Sequence, residues 1–256
     1  MTELPNTLDR TILICAKRAT VFRYFTDSAR FADWWGKGSQ IEGKPGGALR
    51  IVFPGGTITA SGKVLELTPN ERIIFTYGFD SGNPMPPDSS RVTITLRDHP
   101  DGTQLTLHHE FADLKVRDEF VQGWRYQLAL FANVAANEQH ANAQQTVDSY
   151  FAMWNMMEAG DRRKAMEGLL LPDVTFQDRY SCTNSADDLN AHITAGKHFM
   201  PGLTISREGE IQQCQGTAIV DWIARRADGT EAGRGMNVFA LAPDGLIRSI
   251  VGFWKM

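Results

Sequence analysis

Three cysteines, Cys15, Cys182 and Cys214, are all that 256 residues contain, and none stand in a C-x-x-C spacing. The odd number and wide scatter argue against a disulfide framework, and the missing pair argues against a zinc site. A reducing cytoplasm is the expected setting. A basic surplus is also lacking. Lys and Arg number 15 against 16 Asp and Glu through His140, and 11 against 14 after it, leaving −1 and −3 of the total −4. Neither half can neutralise a run of phosphates, so no nucleic acid is expected as partner. No apolar run approaches the ~20 residues of a membrane span, and Met1–Arg10 has no signal-peptide pattern. A soluble protein with no membrane partner is expected. G-x-G-x-x-G, a P-loop, G-x-S-x-G and H-E-x-x-H are absent too, which leaves nucleotide phosphates without a cradle and gives no cofactor to expect.

What is present is a globular composition, 42% hydrophobic and 22% charged, at a length comfortable for two domains. The first half reads as mostly β. Thr11–Ala16 has strand character, and two short helices are expected over Ala19–Thr26 and Ser28–Trp35. Strands follow near 48–53, 57–67, 72–77, 91–97 and 104–111, separated by Gly, Pro, Asn or Asp. Val92, Ile94 and Leu96 alternate with Thr93, Thr95 and Arg97, the pattern of an antiparallel sheet with one buried face. Pro45-Gly46-Gly47 marks a turn, and Gly82–Pro87 reads as a long loop. From Asp118 to about Gln139, Phe120, Trp124, Leu128, Phe131 and Ala135 recur at helical spacing, giving a helix about 30 Å long to cover that face. His108 and His109 are strand neighbours that point to opposite faces and cannot share an ion.

Particular stretches of this half carry a family likeness. A-T-V-F-R-Y-F-T-D at 19–27, F-A-D-W-W-G at 31–36, P-G-G at 45–47, G-K-V-L-E-L-T-P-N-E-R-I-I-F-T-Y at 62–77 and G-W-R-Y-Q-L at 123–128 follow one another in order. With them, residues 8–139 resemble START-like helix-grip domains, in the branch of the heat-shock-protein ATPase activator. The resemblance implies a curved antiparallel sheet around a long C-terminal helix, with a cavity for a small hydrophobic molecule between them. It brings no shared catalytic residue. Trp34 and Trp124 read first as core aromatics. Trp35 stays open between core and cavity, and Trp35 and Trp124 are the candidates for a ligand wall.

The second half starts with a helix at about Ala143–Glu158. Gly160 ends it, and Asp161 is expected to cap a helix over Arg162–Leu169. Pro172 would stop that helix before a strand at Val174–Asp178. Ser185-Ala-Asp-Asp188 resembles a capping box and opens a helix to about Phe199, which Pro201-Gly202 breaks. Strands are expected near 204–214, 217–225, 236–241 and 246–254, with turns at Asp228-Gly229 and Asp244-Gly245.

P-D-V-T-F-Q-D at 172–178, A-D-D-L-N-A-H-I at 186–193, F-M-P-G-L at 199–203, V-D-W at 220–222 and the stretches within 233–254 make 144–256 resemble the SnoaL-like branch of the nuclear transport factor 2-like superfamily. The likeness implies a cone-shaped α+β barrel around an apolar pocket. It also implies that, in isomerase and cyclase members, an acidic residue moves a proton beside a carbonyl. An apolar site turns a carboxylate into a usable base, and a hydroxyl can stabilise the enolate oxygen.

Asp178, Asp221, Tyr150 and His192 are the candidates for such work. Asp178 closes a strand on the side of Val174 and Phe176. Asp221 interrupts A-I-V-D-W-I, an expensive place for a carboxylate. Tyr150 lies on the apolar side of its helix, and His192 titrates near neutral pH. Each has a plainer reading. Asp178 can bond Arg179 or a turn amide, Asp221 can pair with Arg225 or Arg234, and Tyr150 can be a core residue. Trp154, Phe176, Trp222, Phe239 and Trp254 are the expected pocket aromatics.

The sequence therefore predicts an α+β chain with a helix-grip domain at 1–140 and a SnoaL-like cone at 141–256. The first functional expectation is binding of small hydrophobic ligands in two cavities. A cofactor-independent isomerase or cyclase is the alternative, and a co-chaperone-like module is a further one. A homodimer is an expectation from the resemblance alone.

Overall fold

The computed structural model describes residues 3–255. Met1, Thr2 and Met256, the outermost residues of the two expected domains, lie outside them. The chain is mixed α+β, with six helices and two sheets among the described residues, and it divides into the compact units Met1–Glu138 and Gln139–Met256.

In the first unit, β1 (Asn6–Ile14) precedes α1 (Arg18–Arg23) and α2 (Ser28–Trp35). Strands β2 (Gln40–Ile41), β3 (Ala48–Val52), β4 (Thr59–Thr68), β5 (Arg72–Phe79), β6 (Ser90–His99) and β7 (Gly102–Phe111) then run as an antiparallel meander. Helix α3 (Leu114–Gln139) closes the unit. The sheet order is β1-β7-β6-β5-β4-β3-β2, so the first strand pairs with the last. Register places Val92 opposite His109, Ile94 opposite Leu107 and Leu96 opposite Leu105. All six are buried, so a histidine sits in an otherwise apolar row. Helix α3 adds Trp124, Leu128, Phe131 and Ala135 to the same core.

Local chemistry sets the ends of α2. The Asp27 side chain accepts the Ala29 and Arg30 amides at the N-terminus. Gly36 ends the helix at φ 148°, where an added Cβ would collide with the Val52 carbonyl.

In the second unit, α4 (Ala143–Asn155) and α5 (Ala159–Glu167) lead into β8 (Leu170–Gln177) and the two-residue β9 (Cys182–Thr183). Helix α6 (Ala186–Phe199) follows, capped by the Ser185 hydroxyl, which accepts the Asp188 amide. Strands β10 (Thr204–Cys214), β11 (Thr217–Arg225), β12 (Glu231–Leu241) and β13 (Ile247–Lys255) complete a sheet ordered β10-β11-β12-β13-β8-β9. It is antiparallel except for β13 against β8. The sheets are open-ended strand orders, so the closed barrel of the expected cone is not what the described residues form.

Two local expectations are corrected. Gly160 does not end a helix. It lies inside α5, whose N-cap is Glu158 rather than Asp161. Pro172 lies within β8, at the register shift between the Ile247–Leu170 and Ser249–Thr175 pairs, where a missing N–H is tolerated.

Candidate functional site

Register across the second sheet builds the site. Phe176, Ile250, Phe239 and Ala218 lie side by side on one face, and Gly252, Asn237 and Val220 form the next row inward. The first row is wholly apolar. The second holds a buried asparagine beside a glycine, and the Asp178 side chain borders it. A Cβ on Gly252 would stand 3.1 Å from Asn237 Oδ1 and 3.2 Å from Asp178 Cβ. The glycine leaves that space open. Over Phe176, Asn237 and Gly252 of these rows lies a cavity of about 420 Å³, walled by strands of the sheet and by α4 and α6.

Its wall is mostly apolar. Trp154, Phe176, Trp222, Trp254, Ile193 and Leu203 face it, and the indole of Trp222 meets that of Trp254 edge-on at 4.9 Å. Polar atoms are few along this wall, and three of them are unsatisfied. Tyr150 Oη, Trp154 Nε1 and Trp222 Nε1 are buried with no hydrogen-bond partner. Asn237 and His192 also line the cavity. Buried donors are nearly always paired in folded proteins, so three orphans around one cavity are informative.

Asp178 lies at the cavity, held by the Tyr180 and Ser181 amides at 2.8 Å and by the Trp254 indole N–H at 3.1 Å. These three donors fix the carboxylate's orientation. The turn amides were among its plainer partners. Tyr150 is 1% exposed, with its ring edge-on to Phe239 at 5.1 Å. Burial pushes its phenol up and the Asp178 charge adds to this. Trp154 opposes them without reaching hydrogen-bond geometry.

His192 is half-buried between Trp154 and Phe176, at centroid distances of 6.0 and 5.8 Å. Burial holds its pKa below the usual histidine value, with the charge of Asp178 opposing. Its neutral form therefore dominates near pH 7, with a ring nitrogen able to accept a proton.

Asp221 is the correction. It is not at the cavity. Its carboxylate lies on the other face of β11, paired with Lys255 at 2.7 Å and 44% exposed. The partner is neither Arg225 nor Arg234. Strand alternation sends its neighbours Val220 and Trp222 inward and Asp221 outward.

Among the expected aromatics, Trp154, Phe176, Trp222 and Trp254 line the cavity. Phe239 is fully buried behind Tyr150 rather than at the wall. Trp35 and Trp124 belong to the first unit's core. Trp35 is 4% exposed and lies among Trp34, Tyr77 and Trp124, with centroids 4.5, 6.4 and 5.8 Å away. Trp124 donates its N–H to His109 Nδ1 at 2.9 Å. His109 Nε2 in turn meets Ser90 Oγ at 2.9 Å, and the Ser90 hydroxyl donates to the Tyr77 carbonyl at 2.7 Å. With Nδ1 accepting, the neutral ring carries its proton on Nε2. Burial pushes its pKa down to about 3.

Asn237 and Lys197 were not singled out from the sequence. Each had a signal. Asn237 is the polar member of an inward row with Phe239 and Leu241. Lys197 follows the buried Leu189 and Ile193 at successive four-residue steps on α6. Among the described residues no cluster of His, Cys, Asp and Glu could hold a metal ion, and no helix is long and apolar enough to cross a membrane.

Comparison with known proteins adds likenesses to this geometry. A putative isomerase of the SnoaL-like family from Agrobacterium tumefaciens is 24% identical. The match covers 46% of this chain and 99% of that one, at a TM-score of 0.43. A Chromobacterium violaceum protein is 29% identical over 50% of this chain and 95% of its own, at 0.42. The Aha1 dimer from Colwellia psychrerythraea is 18% identical over 48% and 90%, also at 0.42. No curated protein matches the chain. Residues 15–136 match the family model of the activator of Hsp90 ATPase homolog 1-like protein, the likeness that the motifs of this half carry.

Proposed function

We propose that the C-terminal unit binds a small, largely apolar molecule carrying hydrogen-bond acceptors, inside the cavity over Phe176, Gly252 and Asn237. The observation that carries this reading is a 420 Å³ apolar space around which three buried donors, on Tyr150, Trp154 and Trp222, lack acceptors. A carbonyl or ether oxygen could take such a bond while the ligand's body covers the indoles. The wider two-domain reading, with 1–140 and 141–256 as separate ligand-sized domains, is part of the same proposal.

Isothermal titration calorimetry of the full chain with methyl naphthylacetate, a neutral aromatic ester, tests it. One molecule per chain is expected, with binding lost in Ala232→Phe, which fills the cavity from its wall. Binding that the filled variant keeps, or no binding of either this ester or its parent naphthylacetate, would reject the site.

A second reading is favoured by His192, a neutral, half-buried ring that lines an apolar space and makes no hydrogen bond with the described residues. It could take a proton from carbon next to a bound carbonyl, with the fixed charge of Asp178 favouring the imidazolium that results. Exchange of deuterium from the α-carbon of a cyclic ketone, followed by NMR, is expected for the wild-type chain and absent in His192→Gln. Equal rates in the two would remove this reading.

A further inference from the structure

The wall that α6 gives to the cavity carries positive charge with no counter-ion among the described residues. Lys197 lines the cavity, is half-buried, and makes no ion pair or hydrogen bond with the described residues. Behind it, Arg162 is 0% exposed and the largest fully buried side chain of the chain's described residues. Neutral oxygens take its donors. Nε bonds Asn190 Oδ1 at 2.7 Å, and Nη1 bonds the Met156 carbonyl at 2.7 Å and, more weakly, that of Met157. Nη2 reaches Thr194 Oγ1 and the Asn190 carbonyl. No carboxylate of the described residues forms a salt bridge with it. Exposed Glu158 acts on it from beyond ion-pair distance.

A buried guanidinium is costly unless a negative charge answers it. The two cations also feel each other, since Arg162 adds to burial in holding the Lys197 ammonium below its usual value. Favourable placement of a lysine in a helix's last turn accounts for its position along α6. It does not account for a lysine that lines an apolar cavity close enough to the buried Arg162 cation to feel its charge. The cavity's one carboxylate, Asp178, is occupied at the opposite sheet wall by two amides and an indole.

We propose that the ligand is an amphipathic organic anion, whose apolar body fills the aromatic part of the cavity and whose carboxylate or equivalent group is held by Lys197. This rests on the binding reading above and names the chemical class it admits. An anion there supplies the negative charge that the Lys197–Arg162 pair lacks, and the Tyr150, Trp154 and Trp222 donors sit around its body.

Calorimetry with a matched pair of probes, naphthylacetate and its methyl ester, tests this on the full chain at constant ionic strength. Wild type is expected to bind the anion about tenfold or more tightly than the ester, the worth of one charge-assisted contact. Lys197→Met should lose that preference while keeping its ester affinity, and Lys197→Arg should keep both. Circular dichroism confirms that each variant is folded. An ester bound as tightly as the anion by wild type, or a preference that survives Lys197→Met, would overturn the proposal while leaving the cavity reading intact. Failure of both probes to bind would overturn the two together.

Discussion

Protonation of His109 should unfold the N-terminal unit's core from within. The ring is 0% exposed and pinned in one neutral tautomer between the Trp124 indole and the Ser90 hydroxyl. A proton on Nδ1 would set two N–H groups against each other where one now accepts, and would place a charge in a sheet of aromatic rings. The direction follows from linkage. The folded pKa, about 3, lies below the ordinary 6.5, so between those values the unfolded chain binds the proton that the folded chain refuses. The stabilisation is complete above about pH 6.5 and is lost as pH falls toward 3. At about 1.4 kcal/mol for each pH unit, the loss is roughly 2–3 kcal/mol at about pH 4.5 and approaches ~5 kcal/mol at its limit.

Other carboxylates titrate in the same window, so a difference measurement isolates the effect. Glutamine is neutral, and it can accept from Trp124 and donate to Ser90. His109→Gln should therefore cost about 1–2 kcal/mol near neutral pH through imperfect geometry. It should then lose roughly 2–3 kcal/mol less than wild type on going to about pH 4.5. Pulse proteolysis in urea, with mass spectrometry assigning the cleaved fragments to each unit, reads the stability of the N-terminal unit by itself. Parallel pH profiles for the two proteins would refute the reasoning. So would a wild-type loss confined to fragments of the C-terminal unit.

Two further outcomes follow from the C-terminal unit. If His192 moves a proton, the deuterium exchange rate should rise with pH through a value below the ordinary 6.5 and stay level above it, because burial favours the neutral ring. A rate that instead tracks hydroxide across neutral pH would remove the histidine from the step. Ser185→Ala deletes the hydroxyl that receives the Asp188 amide and should destabilise this unit by about 1 kcal/mol in urea unfolding. No change would mean that water caps α6 equally well.

Elements with chemical punctuation were legible in the sequence. Helix α2 begins after Asp27 and stops at Gly36, α6 begins after Ser185, and β10 and β11 keep their expected limits. Strand β1 was read too late, at 11–16 against Asn6–Ile14. Only Leu8 and Ile14 of that edge strand are buried, which leaves little alternation to see. Helix α5 was misread because Gly160 normally punctuates, whereas here the buried Arg162 anchors the segment as a helix.

The residues of the candidate cavity were legible where side chains alternate cleanly. Phe176 lies in β8 and Asp178 directly follows the strand, both at the cavity, and Tyr150 shares a helix face with Val147 and Trp154. Asp221 was not legible, because Ile223 on its own outward side is also buried. A strand covered on both faces reads as one apolar run, and such a run hides which way a polar residue points. Lys197 and Asn237 were obscured by ordinary roles, a helix-terminal cation and a strand amide. Only the cavity distinguishes them.

The strip formed by Tyr180, Trp254 and Trp222 has an optical consequence. Tyr180 stands edge-on to Trp254 at 5.2 Å, Trp254 stands edge-on to Trp222 at 4.9 Å, and Trp154 completes the wall. Three of the chain's six tryptophans therefore border the cavity, while Trp34, Trp35 and Trp124 are sealed at 2–4% exposure in the other unit. Indole emission shifts with the polarity and mobility of whatever touches the ring. Occupancy should thus be written in the blue or red displacement of half the chain's ultraviolet emission, against a constant background from the other half. The protein carries its own indicator, with no label attached.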